Sequence, residues 1–171
     1  YYRLMREPGC DNSDFLLPMM SGRGCTFKCT FCYRMDPGFR ARHPDAIVEE
    51  MKCLQRDFGI SYIVFSDALL MCSTPRTIEV CEAIIKSGLK IKWNCSGRLN
   101  YARPDILKLM KDAGCVFINY GIESVDNEVL KNMKKGLNHD QIIAGVEATR
   151  NLGIHAGLNI IFGNLGDTPQ T

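Results

Sequence analysis

Gly59-Ile60-Ser61-Tyr62-Ile63-Val64-Phe65-Ser66-Asp67 is the stretch on which the fold turns. Its middle is a short run of β-branched and aromatic residues with no polar alternation, which reads as a strand buried on both faces. Upstream, Pro44 suits a first helical turn, and Ile47, Met51, Leu54 and Phe58 fall on one face of a helix that Gly59 ends. The same helix, glycine and strand recur. Thr74-Pro75 opens a helix running to Gly88 and residues 91–95 form the next strand. Pro104 opens a helix ending near Gly114, followed by a strand at 116–120. Asn138 caps a helix stopping at Gly153, with the last strand at 156–163. Residues 15–20 supply a first strand. Strand and helix alternating in this way imply a parallel sheet with right-handed crossovers, an α/β fold. Periodicity does not separate an open doubly wound sheet from a partial barrel.

In both architectures functional residues gather where the strands end. Here the first strand is followed by Cys25, Cys29 and Cys32, the second by Ser66 and Asp67, and the third carries Asn94, Ser96 and Arg98 at its end. The fourth leads into Gly121-Ile122-Glu123-Ser124, and the fifth into Gly163-Asn164-Leu165-Gly166-Asp167. One rim therefore collects thiols, carboxylates, amides and glycines.

At 171 residues, 46% hydrophobic and 23% charged, the chain is long enough for one core and short for two domains. Basic and acidic residues number 21 and 19 without a run of one sign, which argues against nucleic acid as the main partner. No apolar stretch reaches the length of a membrane span, and the opening Tyr1-Tyr2-Arg3-Leu4 lacks the apolar core of a signal peptide. A cytoplasmic location is the expectation. Nine cysteines, mostly scattered singly, fit a reducing compartment better than a disulfide scaffold. Cys53 and Cys81 sit in amphipathic helices as small apolar residues.

Cys25-Thr26-Phe27-Lys28-Cys29-Thr30-Phe31-Cys32 needs a different explanation. Thiolates spaced by three and then two residues, on a loop introduced by Ser21-Gly22-Arg23-Gly24, can converge on one metal centre. Three ligands on a four-iron cluster leave one iron open for a substrate or cofactor. Zinc requires a fourth ligand, such as Cys10 or His43. Three unrelated buried thiols are the remaining reading. His43, His139 and His155 show no ligand spacing with one another, and Lys134-Lys135-Gly136 lacks the GxxxxGK[ST] pattern of a phosphate loop.

The cysteine octet, with an aromatic directly before its last cysteine, resembles the CxxxCxxC signature of the radical S-adenosylmethionine (SAM) superfamily. The lead-in Ser21-Gly-Arg-Gly-Cys25, Phe39-Arg-Ala-Arg-His-Pro44, Gly97-Arg98, Tyr120-Gly-Ile-Glu-Ser124 and Phe162-Gly163-Asn-Leu-Gly-Asp167 resemble the subgroup often fused to a cobalamin-binding domain. The resemblance covers nearly the whole chain. It implies a partial (β/α)6 TIM-like barrel, here truncated after about the fifth strand, so that residues 1–171 form an incomplete core domain with segments missing on both sides.

It also implies a function. Cys25, Cys29 and Cys32 would hold a 4Fe-4S cluster whose open iron chelates SAM, and reductive cleavage would give a 5'-deoxyadenosyl radical that initiates substrate modification, by methyl transfer or cyclisation among other outcomes. Phe31 would pack near the adenine and Gly163 would let the backbone approach it. Glu123, with Ser124 beside it, would meet the ribose hydroxyls. Ser66 and Asp67 stand where many relatives carry a glycine-rich segment that meets the methionine amino group. Arg98 would neutralise the methionine carboxylate through its planar fork, with Asn94 and Ser96 on the same rim. The family's partners are a small-molecule or peptide substrate and a reductase or a flavodoxin- or ferredoxin-type electron donor. The cobalamin-binding pattern DxHxxG does not occur in the chain, so cobalamin would belong to a domain outside it. The competing class is a non-catalytic module in which zinc or a cluster holds a loop for a partner.

Overall fold

The computed structural model describes residues 6–33 and 38–170; Tyr1-Tyr2-Arg3-Leu4 and Thr171 lie outside them. Five parallel strands form one sheet: β1 (Leu16–Met19), β4 (Tyr62–Phe65), β5 (Lys92–Gly97), β6 (Cys115–Glu123) and β7 (His155–Ile160). They lie in the order β1-β4-β5-β6-β7, so β1 and β7 are its edges and the sheet does not close on itself among the described residues. A separate antiparallel pair, β2 (Gly22–Gly24) with β3 (Phe39–Ala41), brackets the cysteine loop.

The crossovers are helical. α1 (Pro44–Phe58) takes proline in its first turn and ends on Gly59 in the left-handed conformation, φ 66°. Ile47 and Met51 are buried as the periodicity requires, but Phe58, in the last turn, is exposed. α2 (Thr74–Ser87) is capped by Ser73, whose hydroxyl accepts from the Arg76 amide. α3 (Pro104–Asp112) follows a short 3₁₀ turn at Leu99–Tyr101. A further helix, α4 (Asn127–Asn132), precedes α5 (His139–Asn151). Asn138 and Gln141 form a reciprocal capping box at the start of α5.

Trp93 is fully buried at the centre of the core, its indole N–H donating to Ala113 O at 2.8 Å and its ring meeting Phe65 edge-on at 5.6 Å. Cys81, Cys95 and Cys115 are buried apolar residues of this core, whereas Cys53 is only partly covered. The N-terminal segment crosses the end where the strands begin. Tyr62 donates to Pro8 O at 2.9 Å, and Lys92 Nζ reaches Asp11 and Asp14 at 2.8 Å each. That end is closed by charge pairs, which leaves the opposite end, where the strands finish, to carry the site.

Two strand ends lie three residues from where the sequence reading put them. β6 runs on through Glu123, because Tyr120, Gly121 and Glu123 continue the ladder to β7. β7 stops at Ile160, placing Gly163 in the loop beyond it. The β2–β3 pair and α4 were not expected, being too short for periodicity to register.

Candidate active site

The cysteines come off a closed loop. β2 ends at Gly24 and β3 begins at Phe39, so pairing of the two strands fixes both ends of the segment carrying Cys25, Cys29 and Cys32. Its middle is tied down by the Thr30 amide, which donates to Met133 O at 3.0 Å just past α4. Below it, buried Asp67 accepts the Ser21 amide at 2.7 Å and also the Ser21 hydroxyl. Arg76 donates to the carbonyls of Ser21 and Arg42, 3.2 and 2.7 Å away. The strand that delivers the first cysteine is thereby fastened to the sheet. Burial pushes the Asp67 carboxyl above its ordinary range against the opposing effect of the Ser21 hydrogen bonds, and burial lowers the Arg76 guanidinium.

All three thiols line one cavity of about 550 Å³ over the ends of β5, β6 and β7. Cys29 is buried, Cys25 half-buried and Cys32 exposed. Burial pushes the Cys32 thiol up, Cys29 and Cys25 push it the same way, and Lys135 acts against them. Such mutual repulsion is what a cationic metal centre relieves when it binds thiolates. Among the described residues no three His, Cys, Asp or Glu side chains stand at metal-holding spacing, so the thiols share the cavity without converging. Neither Cys10 nor His43 lines it: Cys10 accepts from the Glu7 amide, and His43 caps α1. Among the described residues the cysteine and histidine donors that line the cavity are these three sulfurs, a set that fits a cluster held by three cysteines.

The cavity also takes in four other residues expected at the rim: Phe31, Ser96, Arg98 and Glu123. Glu123 is buried at the end of β6 with φ 66°, a left-handed conformation that a non-glycine residue rarely holds. Its Oε1 accepts from Lys135 Nζ at 2.9 Å. Gly121 makes room for that pair: a Cβ there would lie 2.2 Å from Glu123 Oε1 and 3.0 Å from Lys135 Nζ. Lys135 lies 5.5 Å from the centre of the Phe31 ring. Asn119 and Asn159 add neutral amides to the floor. None of Lys135, Asn119 and Asn159 was picked out from the sequence.

The other expected residues stand elsewhere. Asn94 lies on the same strand as Ser96 but two residues deeper, and its amide donates to Glu7 at 3.1 Å. Ser66 is exposed just past β4, and Asp67 is engaged with Ser21. Ser124 accepts the Asp126 amide at 3.1 Å. Ser124 and Gly163 line a neighbouring recess of about 350 Å³, which Glu123 borders as well.

Residues 19–171 match the radical SAM superfamily. The chain belongs to that superfamily. Over 155 residues, 89% of its length, it is 32% identical to an uncharacterized methyltransferase of Pyrococcus horikoshii, covering 34% of that protein. Over 143 residues it is 28% identical to the bacteriochlorophyllide d C-12(1)-methyltransferase of Chlorobaculum tepidum, covering 80% of this chain and 31% of that one. A solved radical SAM methyltransferase from Kitasatospora setae superimposes with a TM-score of 0.83 at 21% identity, covering 99% of this chain and 36% of that one. The likeness is one of fold, that of the radical SAM barrel. The radical SAM chain spans about a third of the length of these relatives. The chemistry of that superfamily rests on a 4Fe-4S cluster and SAM. Among its described residues no helix is long and apolar enough to cross a membrane.

Proposed function

We propose that Cys25, Cys29 and Cys32 hold the 4Fe-4S cluster and that the cavity above β5–β7 receives SAM. Three thiols opening on one cavity that, among the described residues, no fourth cysteine or histidine lines carry this reading. When bound, the two cofactors supply the electron transfer and bond cleavage that yield a 5'-deoxyadenosyl radical. The chain's own residues bind, orient and shield. Phe31 offers an aromatic face for the adenine. Glu123 presents its second oxygen to the ribose hydroxyls, and Ser124 orders the turn that follows. Lys135 has two further N–H donors for the methionine carboxylate while keeping Glu123 paired. Ser96, Asn119 and Asn159 give the floor neutral hydrogen-bonding groups that orient a ligand without adding charge. Gly163 opens the adjoining recess to the adenine edge. Asp67 serves the site indirectly, through the Ser21 fastening, Ser66 through its amide on Met19 O, and Asn94 through its hold on the N-terminal segment.

The reaction we infer is radical methyl transfer or cyclisation on a small-molecule or peptide substrate. Relatives named for both support it: methyltransferases of Pyrococcus horikoshii and Chlorobaculum tepidum, and an anaerobic magnesium-protoporphyrin IX monomethyl ester cyclase of Cereibacter sphaeroides at 28% identity. A cobalamin-dependent SAM radical enzyme shares the fold with a TM-score of 0.77 at 24% identity. On that ground cobalamin would be carried by a segment outside this chain, and a flavodoxin- or ferredoxin-type protein would supply electrons. Anaerobic reconstitution of the full-length protein, followed by an assay for 5'-deoxyadenosine, tests the proposal. Stoichiometric zinc without cleavage would favour the structural module instead.

A further inference from the structure

Arg98 was expected to face the methionine carboxylate, yet all three of its nitrogens already donate to groups of the protein. Buried at the end of β5, its Nη1 donates to Cys29 Sγ at 3.4 Å, its Nε to Asn100 Oδ1 at 3.2 Å, and its Nη2 to Lys135 O. The flat face of the guanidinium lies 3.7 Å from the centre of the Phe27 ring, and Phe27 in turn meets Tyr101 edge-on. Each nitrogen thus donates one hydrogen bond within the protein, and the ring contact holds the guanidinium beside the Cys29 sulfur. The sulfur it touches belongs to the most buried of the three thiols in the cysteine loop.

We propose that Arg98 sets the reduction potential of the cluster by holding an N–H on the Cys29 sulfur, and does not bind the methionine carboxylate. This rests on the reading that Cys29 is a cluster ligand. A neutral thiol is a weak acceptor, whereas a thiolate on iron carries charge that a permanently ionised guanidinium stabilises. Reduction makes the cluster more negative, so the same hydrogen bond favours the reduced state and raises the potential. Little water competes at a site this buried, which strengthens the effect.

The test compares the full-length wild type with Arg98→Met, Arg98→Lys and Phe27→Leu, each reconstituted anaerobically. Iron and sulfide content, the midpoint potential without SAM by EPR-monitored titration, and the dissociation constant for SAM by equilibrium dialysis are measured on all four. Expected are about four irons per chain throughout. The midpoint of Arg98→Met should be lowered by about tenfold in the reduction equilibrium, about 59 mV for one electron. Arg98→Lys should shift less, Phe27→Leu should shift in the same direction, and SAM affinity should change less than about threefold, under 1 kcal/mol. If Arg98→Met takes up no iron, the Lys and Leu variants decide by the same criterion. Unchanged potentials overturn the proposal. Unchanged potentials with a tenfold or greater loss of SAM affinity would return Arg98 to the carboxylate. Absence of iron from the wild type would instead overturn the cluster reading beneath it.

Discussion

Lys135 Nζ lies 2.9 Å from Glu123 Oε1, with both side chains less than a tenth exposed, on the wall of the cavity that the three thiols also line. The residues are twelve apart in sequence, and their meeting depends on three local features. The strand carrying Glu123 shifts register between Gly121 and Glu123, Glu123 takes a left-handed turn, and Gly121 leaves the gap that the pair fills.

Gly121→Ala should therefore disturb the cofactor cavity without touching the thiols. The added methyl overlaps Glu123 Oε1 and must expel the carboxylate from its place. SAM affinity should fall about tenfold or more, about 1.4 kcal/mol, while iron content stays at the wild-type level. Equilibrium dialysis beside an iron assay checks this, and unchanged affinity would remove Glu123 from the binding surface.

Breaking the pair from one side should cost more than removing it whole. Lys135→Met leaves a buried carboxylate uncompensated, a loss of about 3–5 kcal/mol, whereas the double variant Lys135→Met, Glu123→Gln should recover most of it. Urea unfolding of the three proteins under anaerobic conditions measures the difference. Glu123→Gln alone should weaken SAM binding at unchanged iron content.

Cys29→Ala should abolish both iron uptake and SAM cleavage. Cys53→Ala, in a partly covered position on α1, should leave both intact and at most alter packing. Equal iron loss in the two variants would contradict the ligand assignment.

The closed end of the sheet carries a pH dependence. Burial acts to raise the Asp14 carboxyl, but hydrogen bonds from Lys92, the Asp11 amide and Ser61 outweigh it and hold it below the ordinary carboxylate range. A depressed acid contributes stability that is present above its unfolded value, roughly pH 4, and lost as the pH falls through the folded one. Lys92 is raised by Asp11 and Asp14, so its share is present below the ordinary lysine value, roughly pH 10.4, and lost above it. Urea midpoints measured between pH 7 and 3 should fall less steeply in Asp14→Asn than in the wild type.

Much of this was legible before any coordinates. The apolar run at Tyr62–Phe65 lacks a polar alternate, and it follows a helix with a clear start and stop, as β5, β6 and β7 do, which is the pattern of a parallel sheet with helical crossovers. The spacing of the cysteine octet marked three thiols that the fold brings to one cavity. Other features were hidden because sequence fixes the face of a strand but not the depth along it. Asn94 and Ser96 share a face, yet one pairs with Glu7 low in the sheet and the other reaches the cavity. Asp67 looked like a cofactor ligand until the chain brought Ser21 to it from 46 residues away. Lys135, in a loop after a six-residue helix, gave no local signal, since its meaning depends on β6 turning at Glu123. β2 and β3 are three residues each, too short for periodicity, and only their pairing reveals them.

The most direct test is to reconstitute the full-length protein anaerobically with iron and sulfide, reduce it with dithionite, add SAM, and assay 5'-deoxyadenosine alongside iron and zinc content. About four irons per chain, with deoxyadenosine formed in the wild type and absent from Cys29→Ala, is the expected result. Stoichiometric zinc with no deoxyadenosine would contradict the assignment of this cavity as a radical-generating site.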